Sequence, residues 1–190
     1  EIQSALIESL TEVAKEYMPG DPLDKSTAIG PKVSAAQCER SMQYIQDAKE
    51  DGATILTGGS PPDDPALNSG HFILPTVVTD IDHDHSAVQE EIFGPVLEVF
   101  SWSGYDNMIE LANDVKHGLA AGVLTSNISD AQRAAKDLDA GTVWVNQYND
   151  FPPGMPFGGY KNSGIGRERA TETLRSYTQT KSVDISERKL

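Results

Sequence analysis

Ile2, Leu6, Leu10, Val13 and Tyr17 recur at spacings of three and four, which predicts an amphipathic helix over 2–17. Pro19-Gly20-Asp21-Pro22 ends it. Gly30-Pro31 then leads into Ser34-x-x-Gln37, a capping-box pattern, and Cys38, Met42, Ile45 and Ala48 form the stripe of a second helix that stops at Gly52. The β-prone runs 53–57 and 71–78 predict strands, the latter broken at Pro75, with a Pro-, Asp- and Gly-rich surface loop over 60–70 between them.

Downstream the pattern alternates. Residues 96–100 read as a strand and 105–113 as a helix with Tyr105, Met108, Ile109 and Ala112 on one face, followed by a strand over 121–125. A helix capped by Ser129 carries Ala131, Ala134, Ala135 and Leu138, with Gly141 as its C-terminal glycine, and 142–145 is a buried strand. Such a βαβαβ run predicts the α/β class: a largely parallel sheet with helices on both faces and right-handed crossovers. A Gly- and Pro-rich segment over 148–166, a short helix near 170–174 and an extended run Tyr177 to Ile185 complete the chain. That run is polar on both faces and is expected to add to a sheet edge, in this or another subunit.

Composition narrows the function classes. The 190 residues fit one domain on size alone. No apolar run approaches the roughly 20 residues of a membrane span. Twenty-nine acidic against 15 basic residues give a net charge of −14, which opposes binding to a phosphate backbone. Nucleic acid and membrane are therefore not expected partners. The acidic surface fits either a high-salt cytoplasm or an ordinary acidic exterior. One cysteine and no leader pattern favour a cytoplasmic location over a disulfide-stapled secreted domain.

Few side chains stand out as chemistry. Cys38 is the single thiol, but it lies in an apolar helix stripe, the setting of a structural cysteine. His83-Asp84-His85 with Glu90-Glu91 offers metal-ligand types without ligand spacing, so no metal is expected. Gly164-Ile165-Gly166-Arg167-Glu168-Arg169 fails the dinucleotide fingerprint, because Arg169 stands at the third glycine position. Phe151, Met155 and Phe157 fit a core or a pocket. In Glu90-Glu91-Ile92-Phe93-Gly94-Pro95-Val96, two carboxylates and a ring precede a turn into a strand. There a carboxylate could accept both hydroxyls of a ribose and the ring could cover a flat heterocycle, although a solvated helix end has the same pattern.

That string resembles the aldehyde dehydrogenase superfamily, together with Pro156-Phe157-Gly158-Gly159-Tyr160-Lys161-Asn162-Ser163-Gly164-Ile165-Gly166-Arg167-Glu168 and Gly141-Thr142-Val143-Trp144-Val145-Asn146. Gly20-Asp21-Pro22-Leu23 and Gly30-Pro31 resemble it too, so the resemblance covers essentially the whole chain. It implies an aldehyde dehydrogenase catalytic domain downstream of the nucleophilic cysteine: residues 1–175 a partial catalytic domain, 176–190 an oligomerisation strand and tail. It also implies that the nucleophile, the general-base glutamate and the Rossmann fingerprint lie outside this sequence, and Cys38 does not match the catalytic position.

The resemblance assigns roles residue by residue. Glu91 would hold the nicotinamide ribose of NAD or NADP and Phe93 would contact the ring. Glu168 would relay protons for the deacylating water. Asn146, Tyr148, Phe151 and Phe157 would line the substrate pocket, and Lys161 and Gly164 lie where some relatives hold a monovalent cation. The implied activity is oxidation of a small aldehyde to a carboxylic acid through a cysteine thioester, in a dimer or tetramer joined through Tyr177 to Ile185, with the isolated chain inactive. The alternative is a stand-alone assembly module that pairs with full-length dehydrogenase subunits.

Overall fold

The computed structural model describes residues 2–187, and they fall into two compact units divided between Leu111 and Ala112. In the first unit, α1 (Gln3–Glu16) and α2 (Ala35–Glu50) form where the apolar stripes predict them. Ser34 caps α2, its Oγ accepting from the Gln37 N–H at 3.3 Å. β1 (Thr54–Thr57), β2 (Thr76–Thr79) and β3 (Val96–Glu98) make a mixed sheet in the order β1-β2-β3, with β1 antiparallel and β3 parallel to β2. All four residues of β2 are buried, as a central strand covered on both faces requires. The loop predicted over 60–70 is mostly exposed and holds a single 3-10 turn, Pro65–Leu67. The core joins Tyr44 and Ala48 of α2, Ala53, Val78 of β2, Ile81, Ala87 and Ile92.

α3 (Ser86–Gln89) and α4 (Tyr105–Asn113) follow, and the second unit begins within the last turn of α4. Here β5 (Ala120–Val123) pairs in parallel with β6 (Thr142–Val145) across α5 (Ile128–Asp137), a βαβ unit. β4 (His117–Gly118) pairs antiparallel with β7 (Tyr160–Lys161), and α6 (Thr171–Ser176) precedes the tail. Ala131 and Ala134 of α5 are buried, as is Trp144 of β6.

The α/β class stands as predicted, with three departures in detail. The expected five-element run divides into two ladders, since β3 pairs with β2 whereas β5 pairs with β6. Asn127, not Ser129, caps α5: its side chain accepts from the Ser129 N–H at 3.0 Å. Gly141 is not the helix-ending glycine, because α5 closes at Leu138 in extended conformation. What requires glycine at 141 is the close approach of the Gly158 carbonyl, on which any Cβ would fall. The run 177–185 is exposed and pairs with no strand of this chain among the described residues. The end of the expected tail, 188–190, lies outside the described residues.

Candidate functional site

In the first unit the site is the 90–95 segment that carries α3 into β3. Its two carboxylates have different fates. Glu90 Oε2 accepts from the Tyr44 hydroxyl at 2.6 Å and lies 3.9 Å from Arg40 Nη2, so Glu90 fastens the segment to α2. Glu91 is exposed and its carboxylate takes no hydrogen bond from the described residues, which leaves both oxygens open to a ligand.

Ile92 between them and the ring is the anchor. It is buried in the core, and its carbonyl accepts from Ser41 Oγ at 3.3 Å, a hydroxyl wholly enclosed at the base of the turn. Gly94 packs so closely on the same hydroxyl that a Cβ would sit 2.8 Å from Ser41 Oγ.

Phe93 is thereby turned outward. Its φ of +54° is in the left-handed region, which costs a non-glycine residue roughly 1 kcal/mol. The residue is 67% exposed. Lys32, 61 residues away in sequence, donates its ammonium to the Phe93 carbonyl and lies 5.5 Å from the ring centroid. Neither Ser41 nor Lys32 was identifiable from the sequence, because long-range backbone contacts leave no local pattern. A displayed ring on a held, unfavourable backbone beside an open carboxylate suits a flat heterocycle joined to a diol.

In the second unit β6 delivers a row of aromatic rings. Trp144 contacts Tyr148 at 5.0 Å and Phe151 at 5.1 Å between centroids, and Phe151 contacts Phe157 at 4.9 Å, all edge to face. Trp144 Nε1 donates to the Asp150 carbonyl at 2.7 Å, closing the loop that carries the rings. Asn146, at φ +55°, starts this loop and is fixed by two side-chain bonds to Thr125: it accepts from the Thr125 N–H and donates to its carbonyl, each at 2.9 Å. Asn146 therefore acts here as a brace between β5 and β6. Glu168 pairs with Phe157 through their backbones at 2.8 and 3.0 Å, leaving its side chain exposed. Phe157 and Glu168 line a cleft of about 480 Å³ together with Thr173 and Ser176 of α6 and Tyr177.

The aldehyde dehydrogenase family model matches residues 1–183. The chain belongs to the aldehyde dehydrogenase family. It is 43% identical to betaine aldehyde dehydrogenase of Brucella anthropi over 97% of its own length and 38% of the relative's. It is 42% identical to 4-trimethylaminobutyraldehyde dehydrogenase of Rattus norvegicus, again over 97% of this chain and 38% of that one. Among solved structures, the NAD+ complex of an aldehyde dehydrogenase from Bacillus cereus superposes with a TM-score of 0.91 at 42% identity, covering 98% of this chain and 37% of that one. Betaine aldehyde dehydrogenase from Staphylococcus aureus in complex with NAD+ gives a TM-score of 0.89 at 40% identity, covering 93% and 35%. The chain thus spans about 38% of the length of the curated relatives it matches.

Other residues of this aldehyde dehydrogenase chain have structural employment. Cys38 is half-buried with Sγ 3.9 Å from the Phe72 carbonyl, and desolvation pushes its thiol pKa up, so it is held as a thiol rather than a nucleophilic thiolate. His83 stacks edge to face on Phe100 at 5.4 Å, and His85 caps α3 through Nδ1 while Nε2 lies 3.4 Å from Asp51. Lys161 Nζ donates to the Asn113 carbonyl at 2.5 Å and lies 3.5 Å from Asp139 Oδ2. Gly164 stands in the turn beyond it at φ +109°.

Proposed function

We propose that this chain is the C-terminal catalytic-domain portion of an NAD(P)-dependent aldehyde dehydrogenase that oxidises an aldehyde to a carboxylic acid, with the cysteine nucleophile supplied from outside the sequence. The observation that carries the proposal is the 91–93 display, an open carboxylate and a strained, outward ring pinned by Ile92, Ser41 and Lys32.

In this reading Glu91 accepts the two hydroxyls of the nicotinamide ribose and Phe93 fixes the position of the ring it borders. When bound, NAD(P) supplies the hydride acceptor. The residues of this chain hold and seal. The Trp144, Tyr148, Phe151 and Phe157 rings exclude water from the aldehyde and its thioester. Glu168, at the cleft of the second unit, carries protons at its carboxylate oxygen for the hydrolytic water. Because Cys38 is kept protonated in a helix stripe, it takes no part as nucleophile.

The test has two arms. The isolated 190-residue chain should give no aldehyde-dependent NADH, whereas the product of the whole coding frame should, and Glu91→Gln in it should weaken dinucleotide binding about tenfold. Turnover by the pure isolated chain would overturn the reading. A coding frame that opens at Glu1, with co-purification of a longer dehydrogenase chain, would put the assembly-module reading in its place.

A further inference from the structure

We propose that Arg169 selects aldehydes bearing a negative charge, a terminal carboxylate above all, and disfavours the quaternary-ammonium aldehydes for which two of the relatives are named. The inference rests on the reading of the second unit's rings as the substrate wall. An aromatic wall recognises an ammonium group by offering it open ring faces. Here Phe151 meets Trp144 and Phe157 edge to face, and a cation already covers its ring: the Arg169 guanidinium carbon lies 4.4 Å from the Phe151 centroid.

The backbone is set for this contact. Arg169 has φ +65°, an unfavourable conformation for a long side chain, at the position where Glu168 pairs with Phe157. The neighbouring Arg167 is occupied, its Nη1 donating to the Gly166 carbonyl at 2.7 Å and the Gly159 carbonyl at 3.1 Å. Arg169 has no such employment. Neither Glu168 nor Glu172, the nearest carboxylates in sequence, pairs with it, and no ion pair among the described residues includes it.

Its guanidinium therefore keeps the donors that grip a carboxylate in a fork while its flat face rests on Phe151. A trimethylammonium group brought to the same ring would meet a like charge with no anion between them. Sequence alone gave no sign of this, since Arg169 registered only as the residue that spoils a glycine fingerprint.

The experiment uses the full-length protein and three aldehydes of matched chain length that differ at the far end: succinic semialdehyde, butyraldehyde and 4-trimethylaminobutyraldehyde. The kcat/KM ratio of the first to the third should be about tenfold or more in the unaltered protein. It should collapse or invert in Arg169→Leu and persist largely in Arg169→Lys. Ratios within one preparation cancel any loss of folded protein. A preference for the trimethylammonium aldehyde, or a ratio untouched by Arg169→Leu, overturns the proposal.

If none of the three aldehydes is oxidised, the parent reading fails while the Arg169 assignment is still decided by binding. In the full-length protein without cofactor, succinate should give a calorimetric binding response, and Arg169→Leu should abolish it. A response to tetramethylammonium alone, or to neither ion, overturns the assignment.

Discussion

Glu98 on β3 sits half-buried with Oε1 facing no donor, and desolvation raises its pKa above the ordinary 4.5 despite the nearby His85. The sign follows directly. A carboxyl whose folded pKa is raised contributes fully below its unfolded pKa, and the contribution fades as pH climbs through the folded value. Glu98→Gln should therefore remove a loss of stability on going from pH 4 to pH 7, read as urea midpoints at the two pH values. At the same scale, Lys32→Met should lower dinucleotide affinity several-fold while costing about 1 kcal/mol of stability or less, because the Phe93 carbonyl it leaves is exposed to water. Calorimetry and denaturant titration separate the two effects. The 90–96 string singled out this region from residue types alone. Which carboxylate was spent and which open depended on Tyr44, 46 positions away, and no local rule chooses between adjacent glutamates.

Helices and strands of this chain follow their local signals closely, and the exceptions are competitions between neighbours. Ser34 caps α2 as its pattern required, and Ser34→Ala should cost about 1 kcal/mol in a thermal melt. At α5 two capping residues compete, Asn127 and Ser129; the earlier one wins and the helix gains Ile128 and Ser129 in its first turn. Gly141 shows the opposite kind of misreading. Its position after a helical stripe imitates a C-terminal glycine, but its reason is the Gly158 carbonyl, a contact across 17 residues. Gly141→Ala should then cost about 3 kcal/mol through overpacking. It should also loosen the 157–159 segment, seen as faster amide exchange at Phe157 and Glu168.

Across the whole molecule the charge balance is the feature with a consequence. With 29 acidic and 15 basic residues, self-repulsion opposes the compact state until salt screens it. The melting temperature should rise between low and molar KCl, and a fall would refute a surface tuned by its net charge. No helix among the described residues is long and apolar enough to cross a membrane. Apolar side chains such as Leu6 and Val13 of α1, Tyr17 at its C-cap and Leu124 after β5 remain exposed. The sequence by itself determined the longer helices, the βαβ run around α5, the α/β class and the family, because periodicity and contiguous motifs are local properties written in consecutive residues. Only the tertiary structure decided that the alternating run divides into two ladders, that Glu91 is open while Glu90 is spent, that Lys32 and Ser41 hold Phe93 outward, and that Arg169 lies on Phe151. Each of those depends on backbone and side chains brought together from distant positions, where strand pairing, burial and charge are set by the neighbour in space.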